Sequence, residues 1–208
     1  MFRLFLVLMV LLCSGVSAAE PPAESRQQEV APPIAPSEWN TGTKVLLARS
    51  CIGEAGFRAQ EECVAIAYVY AARAMQTGAS FRTVMRQYSS AIKKHEQHRR
   101  PWLFEITAAG TRPTSWPRHL SWPRHREALF ALMAVLDRWA AGEIPNPVPG
   151  ANHYGSTQDL HRSDYFTEAM LVPAPAHFRN RFFDDTGVRK QIGMSLVRWR
   201  KKCGQQKR

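Results

Sequence analysis

The chain has 208 residues, a length that suits one domain and excludes several, with room for a core that does not depend on disulfides. Lys and Arg number 28 against 17 Asp and Glu, giving a formal net charge of +11. Such a balance points to an acidic polymer or an anionic surface as partner, unless the basic residues serve only to keep the surface soluble.

In chain order, Arg3 precedes an apolar run over residues 4–12, and Val16-Ser17-Ala18-Ala19 supplies small residues for cleavage. Residues 1–19 therefore read as a secretory signal peptide whose apolar stretch is too short for a lasting membrane anchor. Cys13 follows the bulky Leu12, which argues against a lipoprotein. No later segment is apolar enough to cross a bilayer, so the expected product is exported, periplasmic or extracellular. Residues 20–38 carry Pro21, Pro22, Pro32, Pro33 and Pro36 among Ala, Glu and Gln, a composition that predicts an extended linker. The folded domain is expected over residues 39–199, followed by a basic tail, 200–208.

A short helix is expected over residues 43–52, with Thr41 or Thr43 as cap and Val45, Leu46 and Ala48 buried. It breaks at Gly53-Glu54-Ala55-Gly56 into a turn. A stronger helix follows over 60–75, with Val64, Ala67, Ala71 and Ala74 as its stripe and Cys63, Ile66 and Tyr70 beside it. Ser80 caps a further short helix to residue 86. Residues 87–122 read as a long irregular loop rich in Pro, Trp, His and Arg, of the kind that tends to be functional. Within it, Ser115-Trp116-Pro117-Arg118-His119 is repeated as Ser121-Trp122-Pro123-Arg124-His125. The second copy starts a helix, with Ser121 as N-cap and Pro123 in the first turn, that runs to about residue 141 and stops at Gly142. Trp116 and Trp122 are read either as sugar-stacking surfaces or as plugs of a core or lid. The prolines at 145, 147 and 149 exclude helix, and Ala151-Asn152-His153-Tyr154 continues as a short strand; residues 191–199 are a second strand candidate.

Glu54 carries the chemistry most readily. A carboxyl group desolvated by apolar neighbours holds its proton toward neutral pH and serves as a general acid; the alternative is a helix-terminal glutamate in solvent. Export leaves Cys51, Cys63 and Cys203, and a Cys51–Cys63 bridge would brace the Glu54 turn in an oxidising compartment. No Cys/His spacing supports zinc, and no metal or organic cofactor is implied. Glu61 and Glu62 read as partners of a helix dipole. The histidines at 95, 98, 119, 125, 161 and 177 read as members of basic surface segments. His153 reads as a residue hydrogen-bonded to substrate or to the Glu54 turn, as plain packing, or as a metal ligand or base.

Leu47-Ala48-Arg49, Glu54-Ala55, Val64-Ala65 and Gly150-Ala151-Asn152-His153-Tyr154, in that order, resemble the motifs of the SleB/CwlJ-type cell-wall hydrolases, the spore cortex-lytic family. The resemblance spans about residues 44–199. It implies a mainly α, lysozyme-like α+β domain with a small β element in the C-terminal half. It also implies cleavage of the peptidoglycan glycan strand, Glu54 as proton donor, and His153 and Tyr154 lining the cleft, with Asn152 and Tyr70 as further substrate-binding candidates. Asn152 stands where the family has Thr, and Ser195 near an expected His. Hydrolysis of a glycoside usually needs two carboxylates, and none of Glu61, Glu62, Asp159 and Asp164 carries a partner's signature. A lytic transglycosylase needs one acid, because the sugar's own 6-hydroxyl is the nucleophile. The expected partners are therefore glycan strands and anionic envelope polymers. The competing readings are a non-catalytic wall-binding protein of the same fold and an exported nucleic-acid binder, whose affinity would fall steeply with salt.

Overall fold

The computed structural model describes residues 33–156 and 166–186. The expected signal peptide, most of the expected linker, the strand expected at 191–199, the basic tail, and Cys13, Asp159, His161, Asp164, Ser195 and Cys203 lie outside the described residues. The described chain is mostly helical with a small antiparallel sheet: α1 Thr41–Glu54, α2 Gln60–Thr77, α3 Phe81–Tyr88, α4 Pro101–Glu105, α5 Trp122–Ala140, then β1 His153–Ser156, β2 Leu171–Val172 and β3 Asn180–Phe183. Among these residues no helix is long and apolar enough to cross a membrane.

Helices α1, α3 and α5 start on a chemical signal. Asn40, not Thr41 or Thr43, caps α1: its side chain accepts the Thr43 N–H at 3.1 Å, as an N-cap amide does for an otherwise orphaned donor. Ser80 caps α3 by accepting from Thr83 N at 3.3 Å. Ser121 occupies the N-cap of α5 as expected but makes no side-chain cap bond, and Pro enters in the first turn. Gly142, at φ 79°, closes that helix by donating its N–H to Trp139 O at 2.9 Å.

The core lies where α1, α2, α3 and α5 meet. Leu47, Ala48 and Cys51 of α1, Ile66, Ala67 and Tyr70 of α2, and Leu129, Leu132, Leu136 and Trp139 of α5 are all fully or almost fully enclosed. The alanines of α2 keep the helix axes close, as their small side chains permit. The linker expectation needs a correction at its described end. Ile34 is buried, Pro36–Glu38 forms a 3-10 turn, and Glu38 Oε1 accepts the Phe81 N–H at 3.0 Å, so this end docks onto α3.

The sheet has the order β1-β3-β2, with His153 opposite Phe183, Tyr154 opposite Phe182, and Leu171 also opposite Phe183. Two side chains of α2 hold it to the helices. Arg73 donates through Nε to Asn152 O and lies against His153 Nδ1, with its guanidinium 3.7 Å from the Tyr88 ring centre. Glu62, buried, accepts three bonds on Oε1: from Arg179 N at 3.0 Å, Asn180 N at 2.7 Å and Asn180 Nδ2 at 2.8 Å. Glu62 therefore fastens β3, whereas Glu61 is an exposed partner of His177 at 3.2 Å. Both glutamates lie in the first turn of α2, as the helix-dipole expectation requires, and Glu62 has the sheet contact in addition.

Residues 87–122 are not one loose loop. After α3 they form a 3-10 turn at Lys94–Gln97 and helix α4, and they bury Leu103, Ile106 and Trp116. Trp116 and Trp122 are core plugs, not exposed platforms: their ring centres lie 4.7 Å apart, and Trp116 also packs on Trp102, Phe57 and His125. His125 is thus half-buried among aromatic rings instead of belonging to a basic surface segment. Glu105 clips the segment, accepting from Thr114 Oγ1 at 2.7 Å, Ser115 Oγ at 2.5 Å and Ser115 N at 3.1 Å. The hydroxyls of Ser115 and Thr114 hold its carboxyl down from 4.5 to about 2. A depressed carboxyl stabilises the fold above its ordinary value and loses that contribution as pH falls through its folded value. In urea unfolding, the stability gap between wild type and Glu105→Gln should therefore be full above pH 4.5 and close toward pH 2.

Candidate functional site

Glu54 is the last residue of α1, and its half-buried carboxylate turns toward the segment that leaves α3. Oε1 accepts from Ser89 Oγ at 3.0 Å, Ser90 Oγ at 2.9 Å and Ala91 N at 3.0 Å. Among the described residues Oε2 accepts only from Ser90 Oγ, at 3.1 Å. Among the described residues Glu54 has no cationic partner. The apolar surroundings expected for this acid are thus replaced at close range by hydroxyls and one amide, with buried helices behind them.

The close approach of the two segments depends on Gly53. A Cβ there would lie 2.3 Å from Ala91 Cβ and 3.1 Å from Leu103 Cδ2, distances that no packing accommodates without moving backbone. Arg100 closes the same junction by donating to Gly53 O at 2.9 Å, and Arg49 ties α1 to the end of α4 through two bonds to Ile106 O at 3.1 and 2.6 Å. Gly53→Ala is expected to lower stability by about 1–3 kcal/mol and to loosen the Ala91 amide from Glu54. Thermal melts and hydrogen exchange at that amide would measure both effects; unchanged protection there would refute the account.

Behind Glu54 runs a row of hydroxyls. Ser89 Oγ is bonded to Ser50 Oγ at 2.8 Å, Ser50 Oγ to the Tyr70 hydroxyl at 2.7 Å, and Tyr70 to the Tyr154 hydroxyl at 2.5 Å. The row joins α1, α2, the segment after α3 and β1. Burial pushes both phenols above the ordinary tyrosine value, and the negative charge of Glu54 adds to the rise at each, so both stay protonated through the physiological range. Tyr70 is completely enclosed. It supports the acid from behind and does not line a cleft.

Asn152 is enclosed as well. Its Nδ2 donates to Asp184 Oδ1 at 3.1 Å and Thr186 Oγ1 at 2.8 Å, and its Oδ1 accepts from Asp185 N at 3.2 Å. Its amide therefore braces the turn after β3. His153 sits half-buried on β1 with its ring centre 4.4 Å from that of Phe166. Because guanidinium only donates, Nδ1 of His153 is the acceptor toward Arg73, which places a neutral ring's proton on Nε2. Of the four substrate-binding candidates, Tyr70 and Tyr154 are hydrogen-bonded into the Glu54 row.

The expected Cys51–Cys63 bridge is not formed. Both thiols are free and fully buried, and Cys51 Sγ donates to Cys63 O at 3.6 Å. Burial, then the neighbouring Cys63 and the charges of Glu54 and Glu62, push the Cys51 thiol well up, which makes it a poor nucleophile. The turn is held by packing and by Gly56, whose φ of 98° suits glycine, and not by a covalent brace.

Ser50, Ser89, Ser90 and Ala91 escaped the sequence reading. Serines are common at helix ends, and nothing in the spacing links residue 50 to residue 89. Among the described residues, no group of three His, Cys, Asp or Glu side chains is arranged to hold a metal ion. No family model matches the chain, and neither a curated protein nor a solved structure matches it.

Proposed function

We propose that the chain is an exported, lysozyme-like enzyme that cleaves the glycan strand of peptidoglycan between N-acetylmuramic acid and N-acetylglucosamine, with Glu54 as its general acid and base. The observation that carries this reading is the asymmetric hold on Glu54: three donors fix Oε1, whereas Oε2 has one bond and capacity to spare. A carboxyl group fixed at one oxygen and open at the other can present a proton in a defined direction.

Glu54 gives that proton to the glycosidic oxygen as the bond to the muramic carbon breaks. The muramic 6-hydroxyl attacks the same carbon and closes an anhydro ring, and its proton returns to Glu54, so no second carboxylate is required. Tyr70 and Tyr154 keep the acid's supporting row in register, and the basic surface favours adsorption to an anionic wall. Mass spectrometry of sacculus digests tests the reading: anhydro ends support it, and reducing ends would mean a hydrolase. The three donors on Oε1 also suit a carboxylate that only staples two segments, which favours a wall-binding protein without turnover. Retention on sacculi with no soluble product would decide for that alternative.

A further inference from the structure

On the other side of the Glu54 turn lies a cavity of about 910 Å³, walled by the α1–α2 turn, the start of α5 and the segment leading into β3. Glu54 is not part of its wall. Arg58, Arg124 and Arg179 line it from these three separate elements, and among the described residues none of their guanidinium groups has a hydrogen-bond or ion-pair partner. The first turns of both α2 and α5 also border it, and neither helix has a side-chain cap. Three unpaired guanidiniums and the uncapped start of α5 make a concave anion-binding surface, whereas the start of α2 already carries the carboxylates of Glu61 and Glu62 in its first turn.

We propose that this cavity is a second binding site, for the carboxylates of a short acidic peptide. The wall is not uniformly basic. Phe57, Leu120 and Ala128 supply apolar surface, and the exposed Glu61 sits at the cavity with its carboxylate available to an ammonium group beyond its bond to His177. A phosphate polymer would meet repulsion at Glu61. A peptide alternating carboxylates with aliphatic groups and an amine finds a partner for each. The volume lies near the top of the range of about 300–1,000 Å³ usual for small-ligand sites, enough for a few residues. Guanidinium forks match carboxylates in two-point contacts. Resting on the function proposed above, the natural source of such a peptide is the stem borne by the glycan strand, since the cavity wall begins at Ala55, one residue after the acid.

The test titrates the full chain, by calorimetry, with the synthetic peptide L-alanyl-γ-D-glutamyl-diaminopimelic acid, its carboxamide form and pyrophosphate. Saturable binding of the acid form is expected, about tenfold or more weaker for the carboxamide and for the Arg124→Gln/Arg179→Gln variant. Both arginines are exposed, and thermal melts check that the variant folds. Absent binding, affinity unchanged in the variant or for the carboxamide, or tighter binding of pyrophosphate at the same arginines would overturn the proposal. The peptide contains no glycosidic bond, so this result is separate from turnover. Glu54→Gln should bind the peptide like wild type, and a failure of sacculus cleavage would remove the function reading while leaving peptide binding to be judged by itself.

Discussion

Glu54→Gln is expected to reduce release of anhydromuropeptides from purified sacculi by at least about a hundredfold, the usual scale for losing a general acid. The fold should persist. The amide oxygen of Gln can take the place of Oε1 and keep the donors from Ser89, Ser90 and Ala91, while its NH₂ faces the Ser90 hydroxyl, which can accept. The substitution thus removes the proton-transfer group and retains the geometry. Matched circular dichroism spectra and melting temperatures would show that the lost product is a lost reaction and not a lost structure. Undiminished product from the variant would sink the assignment of Glu54.

The largest stability effect is expected at Glu62. Glu62→Ala leaves Arg179 N, Asn180 N and Asn180 Nδ2 without their acceptor at the start of β3, two of the three in a buried setting. At about 1–3 kcal/mol for each buried group left unsatisfied, a total loss of about 3–4 kcal/mol follows. The neighbouring Glu61→Ala removes only an exposed contact to His177 and should cost less than about 1 kcal/mol. Denaturant midpoints of the two variants separate these outcomes directly. Equal, small losses would mean that β3 does not depend on the helix for its anchorage.

Those adjacent glutamates show what sequence can and cannot disclose here. Periodicity located α2 and α5 well, because their apolar sets recur at helical spacing and their ends carry Gly78 and Gly142. It could not tell Glu61 from Glu62, since the difference lies in residues 179 and 180, more than a hundred positions away. The same holds for the site. Glu54 stood out because two glycines interrupt an apolar pattern around it, whereas Ser50, Ser89 and Tyr70 became a unit only when three helices packed. The β1 strand was legible from the prolines before it. The two-residue β2 and the four-residue β3 were not, being too short to show alternation and defined by pairing. Trp116 and Trp122 read ambiguously because a tryptophan beside proline suits a plug as well as a platform. Their burial among other rings resolves the choice.

The row of hydroxyls behind Glu54 has a direction. A hydroxyl has one hydrogen to give, and Ser89 spends it on the carboxylate, so it can only receive from Ser50. Ser50 must then receive from Tyr70, and Tyr70 from Tyr154. While Glu54 is ionised, all four hydrogens point the same way, toward the acid. Once Glu54 holds a proton on Oε1 it can donate to Ser89, and the whole row is free to turn around, whereas a proton on Oε2 leaves the row as it is. The orientation of a single O–H on strand β1 is in this sense a report on the charge at the far end of helix α1, carried across four side chains without any atom heavier than hydrogen having to move.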